Sequence, residues 1–438
     1  MLMDTIVAIA TPLQEGAISI IRVSGESALL IVSKIMNKDL TKQSRNTITY
    51  GHIVDQDEIV DEVLVSVFKA PRSFTREDLV EINCHGGVYL TRKILTLVLA
   101  AGARLAMPGE FTRRAFLNGR IDLTQAEAIN DIIVANSETS ATMAIKGIKG
   151  SVKQLITPLI ESMLDVIAHI EVNIDYPEYD DVIELTNQHI TPHLNDWLQQ
   201  LSNIINKAKS GRIMKHGVKT VIVGKPNVGK SSLFNALLEE DKAIVTNIEG
   251  TTRDLVEGII RLDNVTLHII DTAGLRDSND LVEQIGIQKT KEAIDEAELV
   301  ILVLDHTTTE SDQELEQLTK DKDRIIVYNK DDNQELESLS ISALNKDIKP
   351  LIDEINQKFE HHKLNIDQAV LNNERQIGLV IEAYNSLLQA QSAINNQLEL
   401  DLVTIDLQNA YTCLKEVLGQ VSKGDLLDTL FENFCLGK

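Results

Sequence analysis

Apolar positions change rhythm along this chain, and each change marks a change of element. The blocks Ile18 to Val23, Val63 to Phe68 and Leu79 to Ile82 are short and read as strands, while Val88 to Leu99 reads as a helix. That mixture predicts a compact α+β domain. Further on, Val152, Leu155, Ile156, Leu159, Ile160, Met163, Leu164 and Ile167 recur at helical spacing, as do Leu198, Leu201, Ile204 and Ile205. Strand-like blocks return at Val221 to Val223, Leu267 to Ile270 and Ile325 to Tyr328. Helical spacing then resumes through Ile377, Val380, Ile381, Tyr384, Leu387 and Leu388, and again through Leu407, Tyr411, Leu414, Val417 and Leu418. Stripes of this width predict the core of a helical bundle rather than a cofactor pocket. The order predicts an α/β domain inserted into a helical one. Thr124-x-x-Glu127 carries a capping-box pattern directly after Arg120 to Leu123, so the first helical segment starts there. The acidic run Tyr176 to Asp181, interrupted by Pro177, reads as a solvated loop rather than a metal site.

Size and charge narrow the picture. A chain of 438 residues with 43% hydrophobic content is long enough for two or three cores and too long for one, so at least three domains are expected. Cys84, Cys413 and Cys435 are three scattered cysteines without metal or disulfide spacing, which suits a reducing compartment. No segment approaches about twenty uninterrupted apolar residues, so a soluble, cytoplasmic protein is expected. The formal net charge of −24 opposes unaided nucleic-acid binding, because counterion release from phosphates needs clustered Lys and Arg. Any RNA contact is therefore local or shared with a partner.

Candidate chemistry centres on G-K-P-N-V-G-K-S, from Gly224 to Ser231, directly after the strand-like Val221 to Val223. This is the phosphate-loop pattern: glycines let backbone N–H groups turn onto phosphate oxygens, Lys230 meets the β/γ-phosphates, and the Ser231 hydroxyl meets Mg²⁺. Asp271-Thr272-Ala273-Gly274 follows the next strand, where a carboxylate holds the metal through water and a glycine N–H faces the γ-phosphate. Asn329-Lys330-Asp331-Asp332 reads as N-K-x-D, in which the Asp332 carboxylate accepts both N–H groups of guanine and repels adenine's acceptor edge. Ser342-Ala343-Leu344 is its companion loop. Four such motifs in order on alternating strands and helices predict a Ras-like, mostly parallel G domain that binds GTP and GDP.

The whole chain resembles the MnmE (TrmE) family of tRNA modification GTPases, from Asp4 to Lys438. The resemblance rests on D-T-I-V-A-I-A-T-P near the start, P-G-E-F-T-R-R-A-F-L-N-G-R-I-D-L-T-Q-A-E from Pro108 to Glu127, G-T-T-R-D from Gly250 to Asp254, and the terminal F-C-L-G-K. Leu436 stands where the family pattern expects isoleucine. The resemblance implies a homodimer that works with the flavoprotein MnmG, as a heterotetramer, to modify carbon 5 of the wobble uridine in certain tRNAs. The modification is of carboxymethylaminomethyl or aminomethyl type, its one-carbon unit comes from a 5-formyl- or methylene-type tetrahydrofolate, and the tRNA is held jointly with the partner. It divides the chain into a folate-binding and dimerisation domain at 1–119, helical parts at 120–214 and 363–438, and the G domain at 215–362. Arg22, Glu81, Arg120 and Lys438 match the folate-binding positions. A carboxylate such as Glu81 suits a pterin edge, and arginines suit glutamyl carboxylates.

Hydrolysis needs a group to orient water. Many small GTPases place glutamine after the D-T-A-G glycine, and here Leu275 stands there. The resemblance points instead to Glu283. Arg253 and Arg276, in the two switch segments, are either surface charges or sources of the positive charge that hydrolysis requires. Asn227 offers another route, because an amide oxygen in the phosphate loop can help ligate a monovalent cation in place of an arginine finger; otherwise it is a turn-favouring residue. The resemblance adds Thr246, Ile248 and Thr251 as further K⁺ ligands and Thr252 beside Ser231 on Mg²⁺. With Asn247, Glu249 and Gly250 these form a GTP-contacting segment, to which Val228, Gly229 and Ser232 of the phosphate loop also belong. The alternative function is a GTP-switched ribosome or RNA assembly factor. Such a factor brings an RNA module with a basic face, whereas this chain ends in acidic helices.

Overall fold

The computed structural model describes residues 4–135, 138–175, 187–239, 243–244, 257–262, 265–270, 291–305, 307, 309–330, 339–360, 370–371, 373–421, 431, 434 and 437. Two compact units divide the chain, Met1–Leu201 with Gly378–Lys438, and Ser202–Ile377.

In the first unit, the period-two runs become a sheet of β1 (Ile6–Ile9), β2 (Ile18–Ser24), β3 (Thr47–Asp55), β4 (Glu58–Phe68), β5 (Leu79–His85) and β6 (Arg104–Leu105). Its order is β3-β4-β5-β2-β1-β6, antiparallel throughout except where β6 runs beside β1. Alternation decides the faces. Ile21, Val23, Val63, Val65, Val67, Val80 and Ile82 turn to one side, where they pack with the helices Ala28–Lys34 and Val88–Ala100. Ile6 and Ala8 turn to the other, against Ala106 and Phe111. That second face also receives Arg22 and Glu81, which stand directly opposite each other across β2 and β5.

The helical stripes fold as expected, with one refinement. In the helix Ser151–Asp175, Met163 is buried while adjacent Leu164 is exposed, and in Glu374–Asn395 the pairs Val380/Ile381 and Leu387/Leu388 split the same way. Successive helical residues point about 100° apart, so one of each of these three pairs turns away from the seam, whereas Leu159 and Ile160 straddle it and are both buried. The cap of Leu123–Val134 also differs from the sequence expectation. Its capping box joins Asp122 and Gln125 rather than Thr124 and Glu127. The Asp122 carboxylate accepts from the Gln125 N–H at 2.9 Å, the Gln125 amide oxygen accepts from the Asp122 N–H at 3.0 Å, and Thr124 donates to the same carboxylate. Aspartate starts the helix because its carboxylate reaches N3, while Thr124 already has helical backbone. Phe431 and Phe434 bring the end of the chain onto Leu123 and Ala126 of this helix. The acidic run Tyr176 to Asp181 lies outside the described residues.

The second unit is a sheet of order β13-β12-β11-β7-β10-β9-β8, formed by β7 (Val218–Val223), β8 (Ala243–Ile244), β9 (Glu257–Arg261), β10 (Thr266–Ile270), β11 (Leu299–Leu304), β12 (Arg324–Asn329) and β13 (Ser340–Ile341). From β13 to β10 all neighbours are parallel, and β9 and β8 add an antiparallel edge. Every residue of β11 is buried, with Ile301 and Val303 in one core and Val300, Leu302 and Leu304 in another. Continuous apolar runs rather than alternation are what a parallel strand covered on both faces requires. The carboxyl ends of β7, β11 and β12 thus lie together at one edge of the sheet, where open α/β sheets bind their ligands.

Candidate functional site

At that edge the chain leaves β7, makes the loop 224–229 and enters the helix Lys230–Leu238. Gly229 caps the helix with φ of 101°, and a Cβ on it would fall 2.1 Å from Asn329 Nδ2. Glycine is thus demanded twice, by backbone conformation and by the approach of β12. Val228 is fully buried and roots the loop in the core, while exposed Asn227 adopts the left-handed region at φ 61°. Lys230 arches back over its own loop, donating to the carbonyls of Gly224 at 2.8 Å and Lys225 at 2.9 Å. Ser231 and Ser232 follow in the first turn of the helix, where backbone N–H groups favour anions.

Asn329, first residue of N-K-x-D, has a structural task that the motif did not announce. Its amide donates to the Val228 carbonyl at 2.9 Å and accepts from the Ala343 N–H at 3.0 Å. One buried side chain thereby fastens the phosphate loop to the Ser342-Ala343-Leu344 loop. That second loop is closed by paired backbone bonds between Ser342 and Asp347, with Leu344 exposed on it. Lys330 has φ of 68° and lies 3.7 Å from Asp305, the residue that follows β11. The same carboxylate is 2.5 Å from Lys225 of the phosphate loop. Neither Lys225 nor Asp305 stood out in the sequence, because a lysine in a loop and an aspartate after a strand are ordinary surface residues there.

The face of the first sheet forms a separate cluster. Arg22 donates through Nε to Glu81 at 2.9 Å, pairs with it again through Nη2 at 2.8 Å, and donates through Nη1 to the Gly437 carbonyl at 2.7 Å. Its guanidinium stands 6.0 Å from the Phe74 ring centre and 5.8 Å from that of Phe111. Arg120 lies 4.8 Å from the Phe74 ring centre and donates to the Phe74 carbonyl at 2.7 Å. Burial, and then the charge of Arg76, push the Arg120 guanidinium below its ordinary range. Gly437 has φ of 93°, and a Cβ there would meet the Ile9 carbonyl at 2.6 Å, so the tail lies against β1 at a position that glycine suits. Phe74 and Phe111 were not foreseen; nothing in their local pattern distinguishes them from core aromatics.

The same unit also holds an ionic network around buried Arg114 and Glu110. The Arg114 side chain is 1% exposed, and its Nη2 donates to Asp4 at 2.8 Å and Glu110 at 3.0 Å. Its Nη1 reaches Glu77 at 3.2 Å. Arg104 grips Glu110 through both terminal nitrogens, at 2.7 and 3.1 Å. Burial works to raise the Glu110 carboxyl, but Arg104, the Met107 N–H and Arg114 together hold it below its usual value.

Thr246 to Arg253, Asp271 to Arg276, Glu283, Asp332, Cys435 and Lys438 lie outside the described residues. Of the sequence-derived candidates, the structure brings together Asn227 to Ser232, Asn329, Lys330 and Ser342 to Leu344 in one place, and Arg22, Glu81 and Arg120 in another.

Comparison with known proteins covers the whole chain. Residues 5–120 match the family model of the GTP-binding protein TrmE N-terminus, and residues 123–435 match that of the MnmE helical domain. A protein of Lactococcus lactis subsp. lactis, tRNA modification GTPase MnmE, is 46% identical over 448 residues, covering 99% of this chain and 98% of the relative. Its Streptococcus pyogenes namesake is 47% identical over 451 residues with the same coverage. Among solved structures, the G domain of T. maritima FeoB is 28% identical and covers 33% of this chain and 98% of its own, at a TM-score of 0.24.

Proposed function

The chain belongs to the MnmE family of tRNA modification GTPases, and from that membership we propose how its parts divide the work. It is a GTP hydrolase that serves tRNA modification. The finer reading is that it acts with the flavoprotein MnmG, as a homodimer within a heterotetramer, on carbon 5 of the wobble uridine of certain tRNAs in the cytoplasm. The product is of carboxymethylaminomethyl or aminomethyl type. Residues 1–119 bind folate and dimerise, 120–214 and 363–438 form the helical domain, and 215–362 hydrolyse GTP. Among the described residues, no helix is long and apolar enough to cross a membrane.

The observation that carries the nucleotide reading is the Asn329 bridge, which fixes the phosphate loop against the Ser342 to Leu344 loop. A ligand with a purine at one end and phosphates at the other needs that fixed separation. In this reading Lys230 and the backbone of 227–232 hold the phosphates, and Thr246 to Thr252 and Asp271 to Gly274 supply further GTP-binding residues. Asp332 selects guanine, and Glu283 orients the attacking water. The hydroxyls of Ser231 and Thr252 suit Mg²⁺, and the amide of Asn227 with oxygens of Thr246, Ile248 and Thr251 suits K⁺, since both cations take oxygen donors. Those ions, when bound, would supply positive charge for hydrolysis, and K⁺ would promote pairing of G domains; Arg253 and Arg276 are the alternative sources. Exposed Asn227, held at φ 61°, leaves its amide available to such a ligand.

For the folate, Arg22, Glu81, Arg120 and Lys438 hold a 5-formyl- or methylene-type tetrahydrofolate, which carries the one-carbon unit. The cluster fits a flat, polar-edged ligand: two guanidinium groups flank Phe74, one of them fixing the Glu81 carboxylate. The assembly-factor alternative loses its ground, because the relatives match both ends of the chain as well as the G domain.

Mass spectrometry of wobble nucleosides from cells lacking the gene tests the function. The C5 modification should vanish and return with wild-type protein but not with Lys230→Ala; an unchanged nucleoside profile rejects the tRNA reading. Hydrolysis in K⁺ and Na⁺ buffers of equal ionic strength tests the cation, and equal rates reject it.

A further inference from the structure

We infer that Lys225 is a positioning residue for GTP, locking the phosphate loop to the base-reading loop through the Asp305 carboxylate. Its ammonium lies 2.5 Å from Asp305 Oδ1 and 3.1 Å from Asp312 Oδ2, and donates to the Thr307 carbonyl at 2.5 Å. The two carboxylates have further partners of their own. Asp305 accepts from the N–H and hydroxyl of Thr307, both at 3.1 Å, and Asp312 accepts from the N–H and hydroxyl of Thr309, both at 2.8 Å. The Asp312 side chain is 1% exposed, and those of Lys225 and Asp305 are 13% and 15% exposed. The charges are thus largely withdrawn from water, and salt screens them less than a surface pair.

Two features turn this anchor into a lock. Asp305 Oδ2 faces Lys330 of N-K-x-D at 3.7 Å, so one carboxylate holds cations from both loops. In addition, the Lys225 carbonyl accepts from Lys230, the lysine assigned to the β/γ-phosphates, at 2.9 Å. Moving Lys225 therefore moves the backbone that steers Lys230. The Asp305 hydrogen bond, followed by that of Asp312, holds Lys225 protonated above its ordinary range.

The inference rests on the guanine-nucleotide reading. The measurement is the dissociation rate of mant-GDP from the full chain, for wild type, Lys225→Met, Lys225→Arg, Asp305→Asn and the double variant Lys225→Met/Asp305→Asn. Loss of a charge-assisted hydrogen bond should speed release roughly tenfold in Lys225→Met. Lys225→Arg should recover most of the wild-type rate. Asp305→Asn should also accelerate release, and the double variant should be no faster than the faster single one, because both break one link. Thermal unfolding recorded alongside separates the lock from general weakening, which Lys225→Arg would not repair. Unchanged release in both Lys225→Met and Asp305→Asn, or additive effects in the double variant, overturns the lock while the nucleotide reading stands. Wild-type protein that does not bind mant-GDP overturns both.

Discussion

The two candidate sites are built by opposite uses of a sheet. In the second unit the working residues lie at the carboxyl ends of parallel strands, and each strand delivers a contiguous motif to the same edge: 224–231 after β7, Asn329 and Lys330 at β12, Ser342 to Leu344 after β13. In the first unit they lie on a face. Arg22 comes from β2, Glu81 from β5, Phe74 and Arg120 from connections, and Gly437 from a tail 415 residues away from Arg22. An edge site tolerates changes within its strands provided that the loops remain, whereas a face site depends on register, since a slip by one residue would send Arg22 to the apolar side.

Removing the buried charge of the first unit should do the greatest damage. Arg114→Ala removes the buried cation shared by Asp4, Glu77 and Glu110, leaving Arg104 on Asp4 and Glu110 and the Ser24 hydroxyl on Glu77, and loss of one member of a buried ion network costs about 3–5 kcal/mol of stability. Urea unfolding of the first unit should show it, with GDP affinity unchanged in protein that remains folded. A loss below about 1 kcal/mol would mean that the network is dispensable and the face is held by its apolar side alone.

Next is Gly229→Ala at the edge site. Positive φ and the 2.1 Å approach to Asn329 force either the helix start or the Asn329 bridge to move. Strain of this kind costs up to about 3 kcal/mol, which corresponds to about a hundredfold loss of GDP affinity by calorimetry. Retained affinity would show that the bridge is not what spaces the two loops. Arg22→Ala should be milder, weakening 5-formyltetrahydrofolate binding roughly tenfold while GDP binding holds. Equal folate affinity would remove this face from ligand binding.

Acid should produce the smallest and least selective effect. The hydrogen bond from Arg104 is the main pull on Asp4, and Asp4 and Glu110 both sit below their ordinary values. Groups with depressed folded pKa stabilise the protein above their unfolded values, about pH 4, and that contribution fades as pH falls below this toward the folded values. Asp305 and Asp312 are depressed as well, by Lys225 and by Thr309 respectively, against burial that works to raise both. Both units should therefore soften together below about pH 4 in urea titrations. A loss confined to one unit would show that only one of the two ionic networks is coupled to folding.

Much of this was legible in the sequence, and for a physical reason. A phosphate loop is a local device: the glycine, lysine and serine spacings from Gly224 to Ser231 are set by backbone turns within a few residues, and the strand preceding them by its own apolar run. The helical stripes are local in the same way, although which of Met163 and Leu164 lies on the seam emerged only in the structure. The resemblance carried Arg22, Glu81 and Arg120, but nothing local to those residues marked them. Only tertiary structure decided that Arg22 would lie against Glu81, Phe74 and the tail, and that Asn329 and Lys225 would tie separate loops together. Pairings of this kind join segments far apart in the chain, and they depend on strand order and register, which no short window of sequence contains.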